Sequence, residues 1–269
     1  MFGLLLLFPL ALFGGDFLFF KKTSYEDIFR DIEGARIVYL GEVHNRKNIH
    51  ELQLKILRDL SNRGYRIIIL MEAFQQQFQE VLDEYTSCEI DEEEMLARTE
   101  YRRRWKFNPD LYAPIWRFAK ERGIKLFALN VPSELIKEVR RKGLDNVKSR
   151  YLPPKILPLR EKHKELLREA MGKHEGASEK RFFDVQLTWD SGMAYRIAKL
   201  ALVYPKSKLV VIVGSGHVWR GFGIPERVNH LIGSVPQAVL YVEEDEVYFL
   251  FSKDFSRESS STNSKREPN

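Results

Sequence analysis

With a single cysteine, Cys88, in 269 residues, the chain can form no internal disulfide and no cysteine-based metal cluster. No His or Asn context marks that thiol as a nucleophile, so it reads as inert. Other absences remove whole reaction classes. There is no Gly-x-Ser-x-Gly elbow, no His-Glu-x-x-His, no phosphate loop ending in Gly-Lys-Ser or Gly-Lys-Thr, and no dinucleotide fingerprint. An excess of one charge is lacking too: 43 basic residues face 38 acidic ones, for a net +5 spread in mixed sign. That pattern reads as a solvated surface and argues against a nucleic-acid partner. The one dense basic cluster, Arg102-Arg103-Arg104 with Lys106, sits between Tyr101 and Trp105 and reads as a helix face, because no nucleic-acid module surrounds it. No internal repeat is visible.

One apolar stretch lies outside any expected core. Residues 1–20 are almost wholly apolar, interrupted by Gly14, Gly15 and Asp16 and followed by Lys21 and Lys22. Residues 1–22 are therefore expected to be an export signal or a membrane anchor. Its front carries no Lys or Arg, and no cysteine near residue 16 is present to accept a lipid. At the other end, residues 252–269 are rich in Ser, Lys, Arg, Glu and Asn and are expected to form a disordered tail. Residues 23–251 read as one domain, since no linker composition divides them.

Within that domain, helix-like and strand-like stretches alternate. Ile49, Leu52, Ile56, Leu57 and Leu60 recur at helical spacing, and Asn62-Arg63-Gly64 closes that helix. Asn108-Pro109-Asp110 opens a second, with Ile115, Phe118 and Ala119 on its inner face and Gly123 at its end. A third is expected from about Val185 to Tyr204. Each leads into an apolar β run, at 67–71, 126–129 and 209–213. The alternation predicts an α/β three-layer sandwich with a largely parallel central sheet. Runs at 238–242 and 247–251 around Glu243-Glu244-Asp245-Glu246 predict an antiparallel C-terminal hairpin. Charged helical insertions at about 89–106 and about 153–180, the second introduced by Pro153-Pro154, are expected to build a helical cap subdomain over the strand ends.

Four of the strands end in polar residues: Glu42 and His44, Glu72, Asn130, and His217. In a parallel sheet the segments beyond the strand carboxyl ends share one crevice, where such folds bind ligands. Gly41-x-x-His44 and Gly214-x-x-His217 repeat one short pattern, in which glycine is expected to let the backbone turn so that the imidazole points inward. A carboxylate after a run as apolar as Ile67-Ile68-Ile69-Leu70-Met71 needs a partner. His44, His217 and Glu72 thus make a candidate nitrogen and oxygen ligand set for zinc, manganese or iron. Under that reading Glu42 is the catalytic residue, the general base on a metal-bound water of a hydrolase. The alternative is a cluster that only ties strand ends together. Asn130, before Val131-Pro132, is either a site residue or a turn residue ahead of the helix from Ser133.

Five segments carry a family resemblance: Leu40-Gly41-Glu42-Val43-His44; Met71-Glu72-Ala73-Phe74; Ala128-Leu129-Asn130-Val131-Pro132; Trp189-Asp190 with Met193-Ala194; and Gly214-Ser215-Gly216-His217 with Gly221-Phe222-Gly223-Ile224-Pro225. Over about 25–251 the chain resembles the ChaN family, haem-binding proteins associated with bacterial iron uptake, in a superfamily that also holds the TIKI metalloproteases. The resemblance implies a central sheet with a helical subdomain and haem bound by a homodimer, and the apolar leader predicts an exported protein, periplasmic or membrane-anchored facing the periplasm. It implies a tyrosine ligand to the haem, for which a hard oxygen donor suits iron(III). Tyr101, Tyr112, Tyr151 and Tyr195 are the available choices, and Tyr112, Tyr195 and Asn130 are taken as the cofactor-binding candidates. His163 and His174 are further donors whose charged neighbours predict solvated positions. From the TIKI side, the resemblance implies metal binding by His44, His217 and Glu72. The expectation is a protein of haem and iron uptake, with a TIKI-like metallopeptidase as the alternative.

Overall fold

The computed structural model describes residues 21–22, 25–171, 177–243 and 246–255. The apolar leader, His174 and residues 256–269 lie outside the described residues. The strands are β1 (Lys21–Lys22), β2 (Ile37–Glu42), β3 (Ile67–Gln75), β4 (Leu126–Asn130), β5 (Lys208–Gly214), β6 (Gln237–Glu243) and β7 (Glu246–Ser252). The helices are α1 (Tyr25–Ile32), α2 (Lys47–Asn62), α3 (Gln79–Thr86), α4 (Glu92–Arg98), α5 (Tyr101–Arg104), α6 (Pro109–Glu121), α7 (Ser133–Lys142), α8 (Glu161–Met171), α9 (Ala177–Val203) and α10 (Ile224–Ile232).

All strands join one sheet in the order β1-β7-β6-β2-β5-β3-β4. The run β6-β2-β5-β3-β4 is parallel, and β7 is antiparallel to β6 and to β1. Strands β2, β3, β4 and β5 are buried along their whole length, as strands covered on both faces should be. Alternate residues feed two cores. Val38, Leu40, Ile69 and Met71 pack with α2 and α6 through Ile56, Leu57, Ile115 and Phe118. Ile37, Tyr39, Leu70, Val211 and Val213 pack with α9 and α10 through Met193, Ala194, Ile197 and Val228. The α6 start is fixed as expected: the Asn108 side chain accepts the Asp110 N–H at 3.0 Å, with Pro109 in the first turn, a cap worth about 1 kcal/mol.

The three layers, the parallel sheet, the hairpin and the helical additions match the sequence reading, with several boundaries moved. Strand β3 does not stop at Met71 but runs to Gln75, with a register shift against β4 between those residues, because Ala73 and Phe74 are still buried in the core. Helix α9 begins at Ala177, within the stretch assigned to the second insertion. The tail begins later than residue 252: Ser252 ends β7, and Phe255 is buried against Gly221, where a Cβ would sit 2.2 Å from the ring. In the first insertion the arginines lie on short helical turns as read, with Arg102 paired to Glu93 and Arg104 to Glu100 and Glu134. Among the described residues no helix is long and apolar enough to cross a membrane.

Candidate functional site

Sheet register does the first part of the assembly. Glu42, the last residue of β2, pairs with Gly214, the last of β5, while Met71 of β3 pairs with Ile212, which places Glu72 one residue further along the same rim. The Gly214 N–H donates to Glu72 Oε2 at 2.7 Å. His44 and His217 lie on this one rim. A Cβ on Gly214 would meet His44 Cε1 at 3.0 Å and Glu72 Oε2 at 3.5 Å, and His217 Nε2 lies 3.4 Å from Glu72 Oε1.

The two glycines of the repeated pattern serve space rather than a sharp turn. Neither Gly41 nor Gly214 has positive φ. A Cβ on Gly41 would lie 2.9 Å from Tyr241 Cβ, and one on Gly214 would press on the His44 ring.

Each imidazole is held by a carboxylate through Nδ1. His44 Nδ1 lies 2.8 Å from Glu42 Oε1, and His217 Nδ1 lies 2.6 Å from Asp190 Oδ1. Glu42, on the first side, also accepts Tyr112 O–H at 2.6 Å on Oε1 and Gln53 Nε2 at 3.0 Å on Oε2. His50 Nε2 donates to the His44 carbonyl at 3.1 Å. On the second side, Gln186 Nε2 donates to Asp190 Oδ1 at 3.1 Å. The His44 ring packs against Trp105 and Phe107, whose centroids lie 4.6 and 4.9 Å from it and 5.5 Å from each other. Trp189 meets His217 edge-on at 6.0 Å. Val43, next to His44 in sequence, is exposed at 43%.

Electrostatics separate the two rings. Burial alone would lower the pKa of His217, but the charge of Glu72 and the bonds to Asp190 and Glu72 outweigh it and push it up to about 10. Burial also opposes charge on His44, and the Glu42 bond with the charges of Glu72 and Glu42 overcomes it and raises its pKa. Glu72 is held below the usual carboxylate range: burial raises it, and His217, His44 and the Gly214 N–H outweigh that effect.

Several expectations are corrected here. Glu42 is not a free general base, because hydrogen bonds occupy both oxygens and the residue is buried; it orients His44 instead. Among the described residues no group of three or more His, Cys, Asp or Glu is arranged to hold a metal ion. His44, Glu72 and His217 meet as an ion-paired cluster, with Glu72 directed to His217 and the Gly214 N–H. Tyr112 belongs to the site, but as a buried phenol: burial first, then the charge of Glu42 and the bond to it, lift its pKa well above the ordinary value. A phenol held protonated in this way is a poor tyrosinate ligand. Tyr101 is likewise buried, its pKa raised by burial and by Glu42. Tyr195 lies five positions after Asp190 on α9, about 140° around the helix, with Lys199 Nζ 4.1 Å from its ring centroid. Asn130 ends the edge strand opposite Gln75, and its Oδ1 has no partner among the described residues. Tyr151 accepts from Arg150 Nη2 at 2.9 Å and packs near Trp189. His163, expected in solvent, is buried and stacks on Phe222 at 5.4 Å, with its pKa lowered by burial to about 4.

Asp190, Gln186, His50 and Gln53 were not singled out as site residues by sequence pattern. A signal for them existed. His50 and Gln53 are polar residues on the buried stripe of the amphipathic α2, among Ile49, Leu54 and Leu57, and Gln186 and Asp190 are buried polar residues of α9 in line with Met193 and Ala194.

The fold and crevice define an α/β protein whose strand carboxyl ends gather paired acids and imidazoles beneath an aromatic lip. The sequence profile of the family described as "Haem-binding uptake, Tiki superfamily, ChaN" matches residues 28–228, and the chain belongs to that family. The ChaN structure of Campylobacter jejuni, described as showing cofacial heme binding, aligns over 88% of this chain and 98% of its own, with a TM-score of 0.62 and 18% identity. An erythromycin esterase, EreC, in its open conformation shares the fold at a TM-score of 0.50 and 12% identity, over 81% of this chain and 72% of that one. Among curated proteins, the chloroplastic protein RETICULATA-RELATED 5 of Arabidopsis thaliana is 24% identical over 249 residues, 84% of this chain. This chain spans 33% of that protein's length.

Proposed function

We propose that this protein binds haem at the aromatic lip of the strand-end crevice and handles it in iron uptake. The observation that carries the reading is the setting of His44. Its Nδ1 is committed to Glu42, its ring packs in a cluster with Trp105 and Phe107, and its side chain is 26% exposed. An imidazole fixed through Nδ1 presents Nε2 to a metal, and the carboxylate raises its basicity. Flat aromatic faces and the exposed Val43 suit a macrocycle, so the residues present fit the group. His44, Trp105 and Phe107 are the groups that would hold haem, which would supply a Lewis-acidic iron to the site. Haem ligation requires neutral His44, and its raised pKa makes binding favour higher pH. Titration of the purified protein with hemin is expected to give a saturable Soret shift, weakened in His44→Ala. No Soret change in the native protein overturns the reading. Export guided by the apolar segment 1–20, and pairing of two copies around the cofactor, belong to the same proposal; the N-terminal mass of the mature protein and its sedimentation behaviour test them.

A second reading is favoured by one observation: two carboxylate–imidazole pairs face a common acid, Glu72. In hydrolytic chemistry His44, oriented by Glu42, would take a proton from water, and His217, held charged by Asp190 and Glu72, would stabilise developing negative charge. Ester turnover lost in both His44→Ala and His217→Gln supports it. Turnover that depends on stoichiometric zinc or manganese would instead restore the metal-centred form with His44, Glu72 and His217 as ligands.

A further inference from the structure

Beside His44 the backbone holds one residue in a costly conformation that the fold itself does not repay. Among the described residues, four that are not glycine have φ in the left-handed region: Cys88, Glu100, Lys106 and Arg220. Side chains other than glycine enter that region at a cost. At three of the positions local contacts answer it. The Cys88 N–H donates to the Tyr85 carbonyl at 3.2 Å and the Glu100 N–H to the Ala97 carbonyl at 3.0 Å, each closing the end of a helix. Arg220 lies in the tight turn at 219–221, with its guanidinium over the Trp219 ring, 5.5 Å from the centroid. Lys106, with φ of 70°, has no such return: its N–H makes no backbone bond back to α5, and its exposed side chain has no ion pair, hydrogen bond or ring contact among the described residues.

The turn at 106 serves its neighbours. Trp105 and Phe107 stand on either side of it in sequence, with their rings 5.5 Å apart and both against His44. Glycine would supply the same turn at less cost, so the turn does not account for a lysine. Nor do the acids of the first insertion: Glu92 is paired with Arg117, Glu93 with Arg102, Glu94 with Arg98, and Glu100 with Arg103 and Arg104. An uncommitted ammonium on a flexible stem is thus fixed at the edge of the His44 cluster.

We propose that Lys106 recognises a carboxylate on the ligand of the crevice, which for haem is a propionate. The inference rests on the haem reading. Porphyrin propionates are peripheral and anionic, and an ammonium beside the aromatic residues complements them. A charge pair in this exposed setting adds modest affinity and selects the free acid over neutral analogues.

The test titrates hemin and hemin dimethyl ester, in the same detergent, into the full native protein and into Lys106→Gly, which keeps the left-handed turn. The ratio of hemin affinity to ester affinity is expected to fall about two- to fivefold in Lys106→Gly and to be kept in Lys106→Arg. The unfolding temperature of Lys106→Gly should equal or exceed that of the native protein, because the strain is relieved; the loss is then one of recognition and not of folding. An affinity ratio unchanged by Lys106→Gly overturns the proposal and leaves the haem reading standing. A native protein that binds neither ligand overturns the haem reading, and this proposal with it.

Discussion

Replacing His217 by Gln tests the electrostatic core of the crevice through the pH dependence of stability. His217 has its pKa raised from 6.5 to about 10 by Glu72 and Asp190 against the opposing effect of burial. A raised folded-state pKa contributes stability that is fully present below the unfolded value near 6.5. It is lost progressively as pH rises through about 10. At about 1.36 kcal/mol per unit, the shift sets a ceiling of about 5 kcal/mol. Removing one partner of a buried pair costs about 3–5 kcal/mol, so the two routes agree. His217→Gln is therefore expected to be less stable than the native protein by about 3–5 kcal/mol near pH 6, with the gap closing toward pH 10. Urea unfolding at a series of pH values measures both curves. Parallel curves with a constant gap would refute the reasoning, because the loss would then come from packing and not from charge.

Three further outcomes follow from particular contacts. Gly214→Ala places a Cβ 3.0 Å from His44 Cε1 and 3.2 Å from Nε2; the ring must move by a few tenths of an ångström, and hemin affinity measured by Soret titration should fall. Unchanged affinity would remove His44 from the binding surface. Tyr112→Phe deletes the 2.6 Å bond to Glu42 and should cost about 1–3 kcal/mol of stability while keeping the Soret band; a lost band with stability intact would make Tyr112 the ligand. Arg104 ties the first insertion to Gln75 Oε1 at 2.8 Å and to Glu134 Oε1 at 2.8 Å, so Arg104→Ala should speed limited proteolysis around residues 100–107, and an unaltered cleavage rate would show that this tie does not hold the cap.

The sheet was legible because buried parallel strands are written as short apolar runs, and 67–71, 126–129 and 209–213 all fell inside observed strands. Strand ends were less legible. Glu72 looked terminal because it is charged, yet it lies mid-strand, where the Gly214 N–H and His217 satisfy it. The gathering of Glu42, His44, Glu72 and His217 followed from topology, since parallel strands put their carboxyl ends on one rim. Their roles did not follow, because occupancy of the Glu42 oxygens depends on Gln53 from the next helix and on Tyr112, which is distant in sequence. The burial of His163 was hidden for a similar reason: its flanking lysines are charged, but the imidazole turns inward onto Phe222.

Under the proposed function, haem meets the crevice at His44. Nitrogen-15 histidine spectra of the protein, recorded before and after addition of ferric hemin, test it directly, because the paramagnetic iron broadens nearby imidazole signals. The His44 resonances should disappear, while those of His230, exposed on α10, should persist. Retention of the His44 signals in a protein saturated with hemin would contradict the account.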